Sequence, residues 1–371
     1  MRAPERSFLR DRFELGRAGA TTNLPSMEGL RGLAGLLTFF VHYASLLVPW
    51  LPAATPAAGV SKALHDVGNS GVDLFFVLSG YLIYGMLLAR PQPFARFMAR
   101  RIQRIYPAFL AVFALYVVLS FVFPAENKIP APWTAGASYL LANLLLLPGV
   151  FAIEPLITVA WSLSYEMFFY LVIPLVVAAF GLRARTRAWR VTFFAAVLLA
   201  ASLGIALLGG HHRMLLFGAG ILLYEALPAR EVPTPASGIG LTGLCVALAA
   251  ALLVVSGAPA KVLQNLVQAG GFFLLCLCCF RAQDGWLARA FSWTPIRWIG
   301  NMSYSYYLLN GLVLKGASVA LPRVLPAGFQ SGALWPALLL PMVAATLLVS
   351  AVFFLAVERP LSLARHAPGR R

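Results

Sequence analysis

Apolar residues dominate this chain in stretches of about 17–25 residues, the length a helix needs to cross a bilayer. They fall at 28–50, 71–89, 105–123, 159–181, 191–209, 213–228, 237–256, 261–280, 298–320 and 334–357. Basic or turn-forming residues separate them, and the pattern predicts about ten transmembrane helices. An eleventh apolar stretch, 138–151, is too short to cross and ends in Pro148-Gly149, so it reads as a re-entrant or interfacial helix. Residues 51–70 and 124–136 read as short outer loops. No heptads, internal repeats or low-complexity linkers interrupt the pattern. The expected organisation is one membrane domain, 27–360, between basic cytoplasmic tails at 1–26 and 361–371.

Composition agrees with the pattern. Of 371 residues, 60% are hydrophobic and 11% charged, with a mean hydropathy of +0.80. That leaves too little polar surface for a soluble globule of this size, and the fold class is an all-α polytopic membrane protein.

The formal charge of +16 sits in short blocks between spans, not on one soluble face, so no nucleic-acid partner is expected. Blocks in the amino-terminal tail, at Arg90–Arg104, at Arg183–Arg190, at Arg281–Arg297 and at the carboxyl end share one side if there are ten spans. The positive-inside rule makes that side, with both termini, cytoplasmic. Counting 138–151 as a full crossing would put the Arg183–Arg190 block outside. Residues 1–26 have no apolar core of signal-peptide length. Cys245, Cys276, Cys278 and Cys279 lie in apolar runs with no charge to activate a thiol, and read as packing.

Ionisable groups inside apolar spans are costly, about 2.5 kcal/mol or more each, and mark candidate chemistry. Arg31 and His42 lie eleven residues apart in the first span, roughly three helical turns, which puts them on one face about 16 Å apart. The topology sorts such groups into two layers. His42, Asp73 at the outer start of span two and Glu166 near the outer end of span four make an acid/base set. Arg31, with Arg101 and Arg104 leading into span three, makes a basic inner layer suited to phosphate.

Each residue also has a plainer reading. Arg31 can snorkel to headgroups, Asp73 can complement a helix dipole, Glu166 can pair with a structural arginine, and the arginine block can be a topology anchor. Ser79 beside Gly80, and Tyr304, Tyr306 and Tyr307, can be packing. His65, His211 and His212 fall in outer loops without ligand spacing and read as solvated, so no metal site is expected.

These residues stand in recognisable motifs. They are Glu28-Gly29-Leu30-Arg31-Gly32 with His42 beyond it, Gly71-Val72-Asp73-Leu74-Phe75-Phe76-Val77-Leu78-Ser79-Gly80, and Arg101-x-x-Arg104-Ile105-Tyr106-Pro107. Further along come Trp161-Ser162-Leu163-x-x-Glu166, Ser303-Tyr304-x-x-Tyr307-Leu308 and Val357-Glu358-Arg359-Pro360. In this order, from about residue 26 to 360, they resemble the acyltransferase family 3 proteins, ten-helix bacterial membrane enzymes that acylate surface glycans and, in some members, antibiotics.

The resemblance implies an O-acetyltransferase of the bacterial cytoplasmic (inner) membrane. It would use acetyl-CoA from the cytoplasm as acyl donor and no metal, and meet a carbohydrate or glycolipid hydroxyl at the outer side. It makes His42 the base, Arg31 its family partner, Asp73 and Glu166 the acidic residues, and Arg101 and Arg104 the donor-side arginines. Glu28, Ser79, Trp161, Ser164, Tyr304, Tyr307 and Asn310 become acceptor or channel contacts. Members often carry histidine at the position of Asn310, and asparagine hydrogen-bonds but takes no proton.

In this reading the arginines hold the coenzyme's phosphates and the pantetheine arm carries the thioester up a channel to His42. A small acceptor such as a macrolide is the alternative within the family. A proton-coupled transporter, with His42, Asp73 and Glu166 as relay, is the alternative of another class, although inverted repeats and broken midplane helices are absent from the pattern. Some relatives carry a fused extracytoplasmic domain. Here the sequence runs only about eleven residues past Pro360, so such a partner is expected as a separate chain.

Overall fold

The computed structural model describes residues 8–15 and 24–363. The expected tails at 1–26 and 361–371 lie in large part outside these residues. In chain order the helices are α1 (Phe8–Phe13), α2 (Pro25–Leu47), α3 (Pro56–Gly68), α4 (Ser70–Ala89), α5 (Phe94–Val122), α6 (Trp133–Leu144), α7 (Ala160–Ala179), α8 (Arg187–Leu208), α9 (Leu215–Ala226), α10 (Ser237–Ala251), α11 (Ala258–Arg281), α12 (Trp286–Phe291), α13 (Thr294–Asn301), α14 (Ser303–Val324) and α15 (Leu334–Phe353). A π-helical turn continues α15 over Phe354–Leu363. Among the described residues there is no strand.

Each of the ten predicted spans finds a helix, but seven helical stretches are long and apolar enough to cross a membrane. These include α2, α3 with α4, α5, α7, α8, α11 and α15. Helices α9 and α10 have 12 and 15 residues, and α14 is diluted by its tyrosines, Asn310 and Lys315. The protein is a multi-pass membrane protein.

Three expectations shift. Residues 51–70, expected as a loop, contain α3, started by Pro56 at its first position and by the Thr55 side chain, which accepts from Ala58 N. The helix expected at 138–151 lies at Trp133–Leu144. It stops there because Leu146 (φ 54°) and Gly149 (φ 94°) take left-handed conformations. Asn143 ties down the following loop by accepting from Leu156 N at 2.7 Å. Finally, α5 begins at Phe94, well before 105, because Ala, Arg, Met and Gln propagate a helix and Pro93 halts it. Arg96, Arg100, Arg101 and Arg104 of the arginine block are therefore helical.

The chain divides into two compact units, 1–71 with 282–371, and 72–281. In the first unit α2 is the central helix, with α3, α12, α13, α14 and α15 packed on it. Close approach requires glycine: a Cβ on Gly29 would fall 1.7 Å from Phe291 O, and one on Gly300 1.7 Å from Glu28 O. The buried core there comprises Phe39, Tyr43, Leu46, Leu47, Leu51, Tyr306 and Leu314. Residues 8–15 dock on the same unit, with Phe13 stacked on Trp298 and Phe354 and its carbonyl accepting from Asn301 Nδ2 at 3.0 Å.

In the second unit α8, α9, α10 and α11 pack together, and α4 meets α9 through Gly80 and Gly220. A Cβ on either would overlap a backbone carbonyl, of Phe217 or Val77. Glu225 receives a bidentate pair from Arg190 (2.6 and 2.8 Å) and the Tyr84 hydroxyl at 2.6 Å, which ties α4, α8 and α9 together. Arg281 caps the end of α9 by donating to the carbonyls of Ala226 (2.9 Å) and Leu227 (3.0 Å).

Candidate active site

In the first unit the α2 stripe predicted from sequence is present, and its members differ in surroundings. Near the start of α2, Glu28 is buried and accepts from Arg297 Nε at 3.0 Å. That contact makes it half of an ion pair at the α2–α13 crossing. One turn on, Arg31 Nη2 donates to Ser303 Oγ at 3.0 Å, which anchors the guanidinium to the start of α14.

Thr38 Oγ1 donates to Gly35 O at 2.7 Å and accepts from Asn310 Nδ2 at 3.1 Å. Asn310 is fully buried, and its Oδ1 has no hydrogen-bond partner among the described residues. The amide thus bonds the helix that carries His42, one turn before it. Tyr307 is buried and Tyr304 half-buried on the same helix as Asn310.

His42 itself is half-buried and makes no hydrogen bond to the described residues. Its ring lies over the bare Cα of Gly311: a Cβ there would meet Cε1, Nε2 and Nδ1 at 3.3, 3.4 and 3.5 Å. An imidazole fixed by van der Waals contact, with its nitrogens unspent, is free to exchange a proton with a bound molecule. Gly311 carries no sequence signal of chemistry.

In the second unit the two acidic residues have different partners. Glu166 Oε1 accepts from Ser79 Oγ at 2.9 Å and from the Tyr170 hydroxyl. The Tyr170 and Phe97 rings flank Arg101, at 5.8 and 5.6 Å from its guanidinium carbon. Glu166 thereby belongs with Ser79 and with the arginine end of α5. Arg104 lies one turn past Arg101 on the same helix.

Asp73, 1% exposed, has Arg213 Nε at 3.6 Å. That guanidinium sits over Trp161, 5.2 Å from its ring centre. The aromatic set continues through Phe76 and Tyr165, which pack against Trp161 edge-on. Ser164 is buried and its Oγ donates back to Ala160 O at 3.3 Å within α7.

Of two histidines expected to be solvated, His211 is exposed and His212 half-buried, and both have a hydrogen-bond partner. His211 Nδ1 lies 2.7 Å from the Tyr165 hydroxyl, and His212 Nδ1 lies 2.7 Å from Asn265 Oδ1. The short turn before α9 presses that loop onto α7 and α11, which a sequence read as a polar loop does not reveal. His65 stands 3.2 Å from Asp66 Oδ1. Among the described residues no three His, Cys, Asp or Glu side chains are grouped to hold a metal, and Cys276, Cys278 and Cys279 are buried free thiols.

A family model described as an acyltransferase domain matches residues 24–355. The chain belongs to the acyltransferase 3 family. Among curated relatives, O-acetyltransferase OatA of Staphylococcus aureus is 27% identical over 77% of this chain and 49% of its own length. Peptidoglycan O-acetyltransferase OatA of Listeria monocytogenes is 24% identical over 91% of this chain and 56% of its own. Exopolysaccharide production protein ExoZ of Rhizobium meliloti is 26% identical over 80% and 90%. The chain therefore spans about half the length of the OatA relatives. No solved structure matches. All of the site residues described above lie inside the matched acyltransferase 3 segment.

Proposed function

We propose that this protein is an integral-membrane O-acetyltransferase, moving an acetyl group from acyl-CoA on the cytoplasmic side to a hydroxyl of a surface glycan or glycolipid precursor on the outer side. The supporting observation is the His42 imidazole, which lies over Gly311 with both nitrogens uncommitted, in the apolar second half of α2. Family membership and the names of the relatives support an acyl ester of a polysaccharide as product.

The chemistry balances on one imidazole. His42 takes the proton of the acceptor hydroxyl as the oxygen attacks the thioester carbonyl. The carbon–sulfur bond breaks, and the departing coenzyme thiolate receives that proton as a thiol. Arg101 and Arg104 supply donors for the coenzyme's phosphates; the flanking rings of Phe97 and Tyr170 hold the Arg101 fork in one orientation. Asn310 positions α2 through Thr38 and takes no proton.

Purified full-length chain in nanodiscs, given radiolabelled acetyl-CoA and glycan oligomers, is expected to release coenzyme thiol and form a base-labile ester. Counterflow of an unmodified solute, with no thioester cleavage above the protein-free rate, would overturn the reading. Two variants probe its parts. Arg101→Lys keeps the charge but loses the planar fork, and the KM for acetyl-CoA should rise about tenfold. Gly311→Ala forces the His42 ring to give by a few tenths of an ångström. Its kcat should fall about tenfold with both KM values within about twofold, which steady-state kinetics on the folded variant will read.

A further inference from the structure

A cavity of about 380 Å³ opens in the first unit where α2 runs through the short turn Val48–Trp50 toward α3. This volume falls in the range of about 300–1,000 Å³ typical of small-ligand sites. Ala44, Val48 and Leu51 form one wall and Ala58 part of the other, all apolar. Ser45, Ser61, Lys62 and His65 supply the polar edge. Ser45 follows His42 by three residues on α2, so the cavity begins one helical turn past the imidazole.

The polar edge has spare capacity. Ser61 is 4% exposed, and its Oγ has no hydrogen-bond partner among the described residues. A buried hydroxyl left unpaired is costly, and a ligand offering a partner removes the cost. Lys62 Nζ lies 2.9 Å from Asp66 Oδ2, and His65 Nδ1 lies 3.2 Å from Asp66 Oδ1. The lysine's charge is therefore met, while its remaining protons and the far nitrogen of His65 stay available.

This combination selects a ligand class. An anion gains little where the cation is already paired. A lipid chain leaves Ser61 unsatisfied. A pyranose ring presents C–H faces to an alanine, valine and leucine wall and hydroxyls to a serine, lysine and histidine edge.

We propose that this cavity is the acceptor subsite and binds one uncharged pyranose unit of a glycan, with the hydroxyl to be acylated turned toward His42. The assignment rests on the acetyltransferase reading above, and it is tested without turnover. Calorimetric titration of chitotetraose into the full chain in nanodiscs, with no acyl-CoA present, should show saturable binding. Ser61→Ala should weaken it about tenfold, the worth of a single hydrogen bond, and Ala58→Phe, which fills the cavity, should weaken it further. Thermal melts confirm that each variant is folded. No binding by the wild type, or binding that Ser61→Ala leaves within twofold, overturns the subsite. If binding follows the prediction but radiolabelled acetyl-CoA yields no ester, the subsite stands and the catalytic reading falls.

Discussion

His42→Ala is expected to lower acyl transfer by about 10²–10⁴-fold, the usual contribution of a general base, and to leave the fold intact. The second part follows from the contacts. His42 is half-buried, makes no hydrogen bond to the described residues and only rests against Gly311, so its truncation strands no buried donor or acceptor. The measurement is acetyl transfer to a glycan oligomer by purified protein, paired with a detergent melting curve. Transfer within threefold of wild type from a normally folded variant would remove His42 from the reaction. Loss of folded protein would mean that the ring is a packing element.

Gly300→Ala is expected to have the largest effect on stability, about 3–5 kcal/mol. A Cβ at that position would lie 1.7 Å from Glu28 O and 3.0 Å from Gly32 N. Both are backbone atoms, so no side chain can swing away, and α13 must separate from α2. That movement also pulls apart the buried pair of Glu28 Oε2 and Arg297 Nε, 3.0 Å apart, and a buried carboxylate without its partner is heavily penalised. Yield from membranes and the detergent melting midpoint read this effect. Gly316→Ala is the control within the same unit, since its Cβ would meet nothing within 4 Å. Equal melting points for the two variants would show that the crossing relaxes, and that the tight approach does not hold the unit together.

The glycines and the ion pairs illustrate where a sequence stops being informative. Gly29, Gly32 and Gly80 sit inside motifs visible from the residues alone, yet their partners, Phe291, Ile296 and Phe217, are remote in the chain. Glu225 stands in a short apolar helix where nothing nearby in sequence pairs with it. Arg190 and Tyr84, 35 and 141 residues away, complete its bonding. Hydrophobic pattern reports which face of a helix is apolar, and it is silent on which helix covers that face.

The same limit explains the site. Depth along a helix follows from counting residues, so Arg31 and His42 on one face of α2 were legible, as were Arg101 and Arg104 one turn apart. Lateral neighbours were not. Counting gave Glu166 a depth; it gave no hint that its carboxylate accepts from Ser79 and Tyr170, beside Arg101. The histidines of the loop before α9 looked solvated because a run of Gly and His is polar in isolation; tertiary packing gives them Tyr165 and Asn265 as partners.

The sequence by itself determined an all-helical membrane protein, the approximate position of most of its long helices and the family, because these depend on local hydropathy and on short motifs. Only the tertiary structure decided that Glu28 is tied into an ion pair while His42 is left free over Gly311, and that a cavity lies one turn beyond that imidazole. The first two facts depend on contacts between residues hundreds of positions apart, Glu28 with Arg297 and His42 with Gly311, and the third on how the Val48–Trp50 turn folds α3 back beside α2; backbone approach and hydrogen-bond saturation are settled in space.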